Sequence, residues 1–475
     1  MTLRIFSSLQ PGALLICSAV LAFIAQPART QTWNVDDLNQ DQDVSAPRKK
    51  GLAIQSISTS GSYYSHALPA DFLYLTQNNV SYGSDITTTS SVALGYWLPG
   101  RLSDLAIVYT PTYTSSARYS EWNRLNHYFT LRSRAGKPVK RIGRWSFDLK
   151  GHGEIDNFEN FLFAPQTLSQ VASTPSSFDD LTGAVSHSPT NNDQLSSLLS
   201  APGGVESPAR LLFYGDRVLN VAGNLNASYA YSPRLSISFS TGGSHLQPLP
   251  SNIDVPGASV ISTQLRTTSF GGNTAITYSL SPKTSIGWGV DVRRNISQLS
   301  DAYLEWSTVS FSHVFSPHWY LEARAGGGSI QPIHNTAPLP IGMQFVAGAV
   351  AGYRLHTHTF LLSVDRTLSD EYAFGAGSSI NVSAAWNWRR RGSHWLLNGA
   401  ILHQNLNNQQ VHDFSSWMIQ AGVRREITRQ LSASVQYSHA AYSGFYTNQL
   451  FDVGIDGARV SLLWTPSPLP PGRRH

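Results

Sequence analysis

Apolar and polar residues alternate with a period of two along most of the chain, from about residue 51 to the C-terminal region. Residues 235–240 read LSISFS, residues 431–438 read LSASVQYS, and residues 219–229 read LNVAGNLNASY. Successive side chains of a β-strand point to opposite faces, so each segment has one apolar face and one face of small polar groups. The spacing does not fit a helix and predicts an all-β protein of amphipathic strands.

Turn sequences separate these strands. Short Ser-Pro-X turns recur at 232–234, 281–283 and 316–318. Proline fixes φ and has no N–H for a ladder, so these positions mark strand ends. Longer polar or glycine-rich connections are expected at 247–258, 326–340, 405–412 and 442–448. Counting the segments between them predicts about 16–18 strands, the first near Leu52–Tyr64 and the last near Leu450–Trp464.

The length and polarity of these strands favour a membrane barrel. They exceed the five or six residues usual in globular sheets and match the length that crosses a bilayer at a tilt. In lipid every backbone group needs a partner, so the sheet must close. The predicted fold is therefore an all-β, transmembrane antiparallel up-and-down β-barrel over residues 51–465. The alternative is a soluble protein of two stacked sheets.

The N-terminal 28 residues have the features of a secretory signal peptide. Arg4 precedes an apolar core at residues 13–25, and cleavage is expected after Ala25 or Ala28. An uncleaved anchor helix is the alternative. Residues 29–50 are polar and are expected to form a periplasmic extension.

Composition excludes several kinds of chemistry. The only cysteine, Cys17, lies inside the predicted signal, so the mature chain has no disulfide and no thiolate ligand. The sequence contains no convincing catalytic or phosphate-binding motif, and an enzyme or a cofactor is not expected. A net charge of +5, with only 13% charged residues, gives no pattern typical of nucleic-acid binding.

Two segments stand outside the alternation. Residues 155–215 are rich in Ser, Pro, Thr, Asn and Asp, and we expect a long extracellular or lumen-entering loop there. A loop that simply extends into solvent is the alternative. Residues 466–475 are proline-rich and are expected to form a periplasmic tail.

Charged residues within strands are few enough to name as candidates for the channel lining. Asp291, Glu322, Arg324 and Asp365 are predicted to face the lumen and to set its selectivity. Glu322 and Arg324 share one face of a strand, whereas of Asp365 and Arg366 only one can point inward. The alternative places all these charges in a wet rim, where they select nothing.

Aromatic residues cluster beside the predicted short turns. Tyrosine and tryptophan favour the bilayer interface, because one end of the ring is apolar and the other is polar. The tryptophans predicted to form this aromatic girdle, in contact with outer-membrane lipid, are Trp319, Trp386, Trp388, Trp395 and Trp464. Ordinary packing at strand ends is the alternative.

The last strand resembles the C-terminal insertion signal of bacterial outer-membrane barrels. Residues 457–464 read GARVSLLW, a glycine followed by alternating apolar positions and an aromatic end. Two features depart from that signal: Ile455 stands where a polar residue is usual, and a tail follows Trp464. The resemblance implies a Gram-negative outer-membrane location and recognition by the barrel-assembly machinery.

A second resemblance concerns residues 117–131, ARYSEWNRLNHYFTL, which are similar to a strand start in outer-membrane barrels that accompany exopolysaccharide export. The resemblance extends around this stretch within the N-terminal half and covers about a quarter of the chain. Together with the neutral polar face, it predicts a porin-like channel through which polar solutes or a polysaccharide diffuse. The alternatives are a structural or surface-binding barrel of an exopolysaccharide or surface system, and an outer-membrane hydrolase acting on lipid.

Overall fold

A computed structural model of the chain describes residues 51–65, 83–99, 103–118, 123–135, 144–157, 217–249, 266–296, 300–316, 318–335, 342–355, 357–371, 375–389, 393–408, 411–428, 430–446 and 449–466. The predicted signal peptide, the N-terminal extension, nearly all of the predicted long loop and the end of the tail lie outside these residues. Within them, no helix is long and apolar enough to span a membrane.

The described residues form one antiparallel sheet of 18 strands. The strands are β1 (Gly51–Tyr64), β2 (Asp85–Pro99), β3 (Ser103–Ser116), β4 (Arg124–Ala135), β5 (Trp145–Asn157), β6 (Arg217–Ala230), β7 (Leu235–Pro248), β8 (Thr267–Ser281), β9 (Thr284–Ile296), β10 (Ser300–Ser316), β11 (Trp319–Asn335), β12 (Met343–Leu355), β13 (His358–Glu371), β14 (Gly375–Arg389), β15 (Trp395–Asn408), β16 (Val411–Glu426), β17 (Leu431–Tyr446) and β18 (Gln449–Trp464).

The sheet closes on itself. Each strand pairs with its neighbours in the sequence, and β1 also pairs with β18, where Ile57 lies opposite Trp464 and Tyr64 lies opposite Gly457. A closed sheet leaves no edge with unpaired backbone groups, which is the condition for crossing lipid with strands. The strand number falls within the predicted 16–18.

The two faces of the sheet differ as the alternation predicts. One face presents large apolar side chains to the surroundings, among them Val309, Phe311 and Phe345. The other face presents serine, threonine, asparagine, glutamine and a few charged groups, many of them buried. The apolar face is the outside of the barrel and the polar face lines its lumen. This confirms the predicted fold class, an all-β up-and-down transmembrane barrel.

The barrel has one end at which strands are joined by short turns, here called the turn end. Only two residues join β8 to β9, β10 to β11 and β12 to β13. The hydroxyls of Ser232, Ser281 and Ser316 each accept a hydrogen bond from the backbone N–H two residues later, at 3.2, 3.1 and 3.2 Å. These side-chain turns explain why serine recurs at the start of the predicted Ser-Pro-X sequences.

At the opposite end, here called the loop end, three predicted loops are wrong in extent. β11 continues to Asn335 through the predicted loop 326–340, β15 and β16 occupy most of 405–412, and β17 continues to Tyr446. Glycine and amide residues suggested turns, but here they extend strands. Gly328 faces Trp306 so closely that an added Cβ would lie 2.7 Å from the Trp306 Cβ, so glycine permits the approach of two strands.

Candidate channel lining

The inner face of β1–β3 is lined by side-chain hydroxyls and is here called the hydroxyl sector. The hydroxyls of Ser58 and Ser91 lie 2.6 Å apart across β1 and β2, and those of Thr89 and Thr114 lie 3.5 Å apart across β2 and β3. Such pairs satisfy one another locally and still offer lone pairs and protons to the lumen. Other hydroxyl residues of this face are Ser56, Ser60, Ser62, Thr87, Thr110, Thr112 and Ser116, the last of which donates to the buried carboxylate of Asp85 at 2.6 Å.

The inner face of β9–β13 holds a cluster of charged side chains and is here called the charged sector; single inward charges such as Asp85 and Arg459 lie on other strands. The structure places all four predicted lining residues, Asp291, Glu322, Arg324 and Asp365, on this inward face. Arg366 pairs with Ala347 on the opposite face of β13, so Asp365 is the member of that adjacent pair that points inward. Whether these residues set ion selectivity remains a prediction.

Two ion pairs neutralise most of this charge. Arg293 Nε donates to Asp291 Oδ1 at 3.0 Å along β9. Arg324 on β11 donates through Nη2 to Asp365 Oδ1 on β13, two strands away. In both pairs the side chains are largely buried, and buried charges are stable only when they are paired in this way.

Gly348 makes the second ion pair possible. It lies on β12 directly between the two partners, opposite Arg324 on one side and Asp365 on the other. A Cβ added at Gly348 would lie 2.5 Å from Asp365 Oδ1 and 2.9 Å from Arg324 Nε. The space over this glycine is therefore the route by which the guanidinium reaches the carboxylate.

A buried apolar cluster borders the charged groups toward the loop end. The guanidinium of Arg293 lies over the ring of Trp306, 5.3 Å from its centroid, in a cation–π contact that joins the two regions. The cluster therefore places apolar side chains beside the Asp291–Arg293 ion pair. Its members are Ala302, Leu304, Trp306, Ile330, Val346 and Leu368.

Sequence reasoning missed two amide residues that continue the inner face beyond the charged sector. Asn381 on β14 lies opposite Asp365, and Gln404 on β15 lies opposite Asn381. Both side chains are buried. Amide residues are abundant in the sequence, so composition could not single them out. Their position on the polar face was a visible signal, but their alignment with Asp365 depends on strand register.

The five predicted girdle tryptophans lie near strand termini at the turn end. Trp319 packs against Tyr353 with ring centroids 4.7 Å apart, and the indole N–H of Trp386 donates to His358 Nδ1 at 3.0 Å. The guanidinium of Arg425 lies 4.9 Å from the centroid of the Trp395 ring. This placement forms a band of amphipathic rings around one end, and its anchoring role in lipid stays a prediction.

One outward-facing polar cluster bears on the possibility of a hydrolase. Asp456 Oδ1 accepts a hydrogen bond from Tyr437 at 2.7 Å and contacts His439 Nδ1 at 2.9 Å. Ser65 lies on the other side of Asp456, where its hydroxyl accepts from the Asp456 backbone N–H. Asp456 thus binds His439 through its carboxylate and Ser65 through its backbone N–H.

Within the described ranges, no group of three histidine, cysteine or acidic residues is arranged to hold a metal ion. Comparison with known proteins finds no matching family model and no matching curated protein.

Among solved structures, three bacterial proteins illustrate the similarity. OccK2 (OpdF) of Pseudomonas aeruginosa, crystallised with glucuronate, is 11% identical, covers 88% of this chain and 100% of its own, and has a TM-score of 0.43. The outer membrane protein opdK of the same species is 9% identical, with coverages of 86% and 97% and a TM-score of 0.43. Its siderophore receptor PirA is 8% identical, with coverages of 88% and 80% and a TM-score of 0.41. The fold assignment rests on the strand pairing described above.

Proposed function

We propose that this chain is an outer-membrane channel through which small polar solutes diffuse. The observation that carries the proposal is a closed barrel of 18 strands with an apolar outside and a polar inner face. Barrels of 16–18 strands enclose a lumen wide enough for water. A wall of hydroxyl, amide and paired ionic groups lets hydrated solutes exchange water for protein partners without a large desolvation cost.

The proposed location is the outer membrane of a Gram-negative bacterium. Strands such as β9 and β14 are long enough to cross a bilayer at a tilt, and the aromatic band lies where a membrane interface would be. Lipid is therefore a proposed partner of the outer face. Recognition of β18 by the barrel-assembly machinery is part of the proposal and rests on the sequence resemblance at residues 457–464.

A polysaccharide is a second candidate cargo, favoured by the hydroxyl sector. Sugar chains hydrogen-bond through neutral hydroxyls, and the paired hydroxyls of β1–β3 present complementary neutral groups beside the buried carboxylate of Asp85. The charged sector on the other part of the wall favours small ionic solutes instead. Because both sectors line one lumen, small polar solutes are the cargo that suits the whole wall.

A lipid-acting hydrolase and a structural barrel have less support than a channel. A hydrolase requires a nucleophile next to its base, and in the outward cluster His439 contacts the carboxylate of Asp456, while Ser65 accepts from the Asp456 backbone N–H. The proposed function is accordingly not enzymatic. A structural or surface-binding barrel would need no polar lining of this extent, and it is distinguished from a channel by conductance.

The test is single-channel recording of the refolded full-length protein in a planar bilayer. Discrete open steps are expected, with swelling of vesicles that contain the protein when they are placed in small sugars. Folding is verified beforehand by the shift in gel mobility on heating. A folded barrel that neither conducts nor admits sugars would exclude the channel and favour a structural role.

A further inference from the structure

Three oxygen-bearing side chains form a continuous row on the inner face, here called the acceptor row. Its members, Asp365, Asn381 and Gln404, lie on the adjacent strands β13, β14 and β15 and face one another in register. Neighbouring strands are about 4.8 Å apart, so the row spans about 10 Å of the wall. All three side chains point to the same side of the sheet.

Each member of the row has an oxygen without a hydrogen-bond partner among the described residues: Asp365 Oδ2, Asn381 Oδ1 and Gln404 Oε1. The residues are only 6%, 7% and 2% exposed. Buried polar atoms are nearly always satisfied, and one left unsatisfied is costly. Three adjacent acceptors without donors therefore indicate that a donor from outside the wall completes them.

The neighbouring protein groups do not supply that donor in the described part of the barrel. Arg324 donates to Asp365 Oδ1 and leaves Oδ2 open, while Ser383 donates to Ser363. Glu322, on the next inward position of β11, also has a carboxyl oxygen without a partner. The open carboxyl oxygens of Asp365 and Glu322 therefore face this part of the lumen, and they disfavour a carboxylate or phosphate of a solute.

The chemistry of the row selects one kind of donor. An ammonium group has three N–H donors and a positive charge, and it can reach the Asp365 carboxylate and an amide oxygen together. Hydrogen bonds to a charged partner are about twice as strong as neutral ones. A neutral polyol could satisfy the same oxygens only through uncharged hydrogen bonds, whereas an ammonium adds a charge-assisted bond to Asp365 Oδ2, the carboxyl oxygen that Arg324 does not occupy. The ligand favoured by the row is therefore a protonated amine.

We propose that Asp365, Asn381 and Gln404 form a subsite in the channel wall for the ammonium group of small amine-bearing solutes. The proposal rests on the proposed channel function, since a solute reaches this inner face through the lumen. It extends the role of Asp365 from ion selectivity to solute recognition. It also adds Asn381 and Gln404, two neutral residues, to the functional lining.

The test is isothermal titration calorimetry of the refolded full-length barrel in detergent. Putrescine is the probe, and 1,4-butanediol, which replaces both amines by hydroxyls, is the matched neutral control. Putrescine is expected to bind and butanediol to bind at least about tenfold more weakly. Asp365→Asn should weaken putrescine binding at least about tenfold, and Gln404→Leu, which leaves the ion pair intact, about threefold to tenfold.

Asp301→Asn is the control variant, because Asp301 pairs with Arg294 on the outer face. Its removal subtracts the same charge without touching the acceptor row, so putrescine affinity should stay unchanged. Equal binding of the amine and the diol, or affinities of Gln404→Leu and Asp301→Asn that agree, would overturn the subsite. Calorimetry does not require conduction: a barrel that conducts without binding putrescine contradicts only the subsite, whereas a silent barrel contradicts the channel.

Discussion

The hydroxyl sector and the charged sector line the same barrel, but they satisfy their polar groups over different distances. In the hydroxyl sector, Ser58 meets Ser91 on the adjacent strand, and each such contact involves two short side chains. In the charged sector, Arg324 reaches past Gly348 on the strand between to meet Asp365. The hydroxyl sector has many hydrogen bonds between short side chains of adjacent strands, whereas the charged sector has a few ion pairs.

This difference predicts where the wall tolerates change. A lost hydroxyl pair removes one neutral hydrogen bond, and lumen water can replace it. A lost partner in a buried ion pair leaves a charge with no compensation, which costs far more. The charged sector should therefore be sensitive to single substitutions that the hydroxyl sector tolerates, even though the backbone of the two sectors is the same.

The largest expected effect is that of Arg324→Ala. The substitution leaves the Asp365 carboxylate buried without its cation, so the free energy of unfolding should fall by about 3–5 kcal/mol. Urea unfolding in lipid vesicles, followed by tryptophan fluorescence, measures it. The double variant Arg324→Met/Asp365→Leu is the control and should recover most of the loss, because it removes both charges. A single variant as stable as the parent would show that water already screens this pair.

Gly348→Ala tests whether the Arg324–Asp365 ion pair needs the open space over Gly348. The added methyl would overlap Asp365 Oδ1 and Arg324 Nε, so the pair must separate or the strand must shift, at a cost of about 1–3 kcal/mol. Gly61→Ala is the matched control in β1, because a Cβ there meets nothing within 4 Å. That control should be neutral or slightly stabilising. Equal losses in the two variants would point to glycine backbone effects rather than to the ion pair.

The sequence alone was sufficient for the strands and their faces. A period of two is a local property, so residues 235–240 could be assigned an inside and an outside without knowledge of their neighbours. The same rule could have oriented Asp365: the apolar Leu362 and Val364 alternate with Ser363 and Asp365, which places the carboxylate on the polar face. The alternation therefore allowed a prediction of which residue, Asp365 or Arg366, points inward.

The pairing of side chains across strands could not be predicted from the sequence. Whether Arg324 meets Asp365, and whether Asn381 lies beside it, depends on the register of four strands, which a single sequence does not fix. The predicted end of β11 was wrong for another reason. A glycine-rich stretch reads as a loop by composition, but in this strand glycine accommodates the close contact between Gly328 and Trp306.

A smaller effect is expected for Ser58→Ala in the hydroxyl sector. The substitution removes the 2.6 Å contact with Ser91 and should lower the free energy of unfolding by about 1 kcal/mol. The double variant Ser58→Ala/Ser91→Ala should be hardly less stable than either single one, because the two hydroxyls act as one pair. Additive losses, measured by the same urea unfolding, would mean that each hydroxyl bonds to something else.

The smallest expected effect concerns ion selectivity, and it compares the sectors within the proposed channel. Asp291→Asn removes a negative charge from the inward face of β9 and leaves Arg293 as an excess cation. A unit charge 4 Å away is worth about 1 kcal/mol in water and less for an ion passing farther off. The ratio of potassium to chloride permeability should therefore fall by roughly twofold. The reversal potential across a potassium chloride gradient measures this ratio, and Ser58→Ala, whose partner Ser91 is neutral, should leave it unchanged. Because mobile ions screen a fixed charge, the shift should shrink as the salt concentration rises, and a shift that is independent of salt would contradict an electrostatic origin.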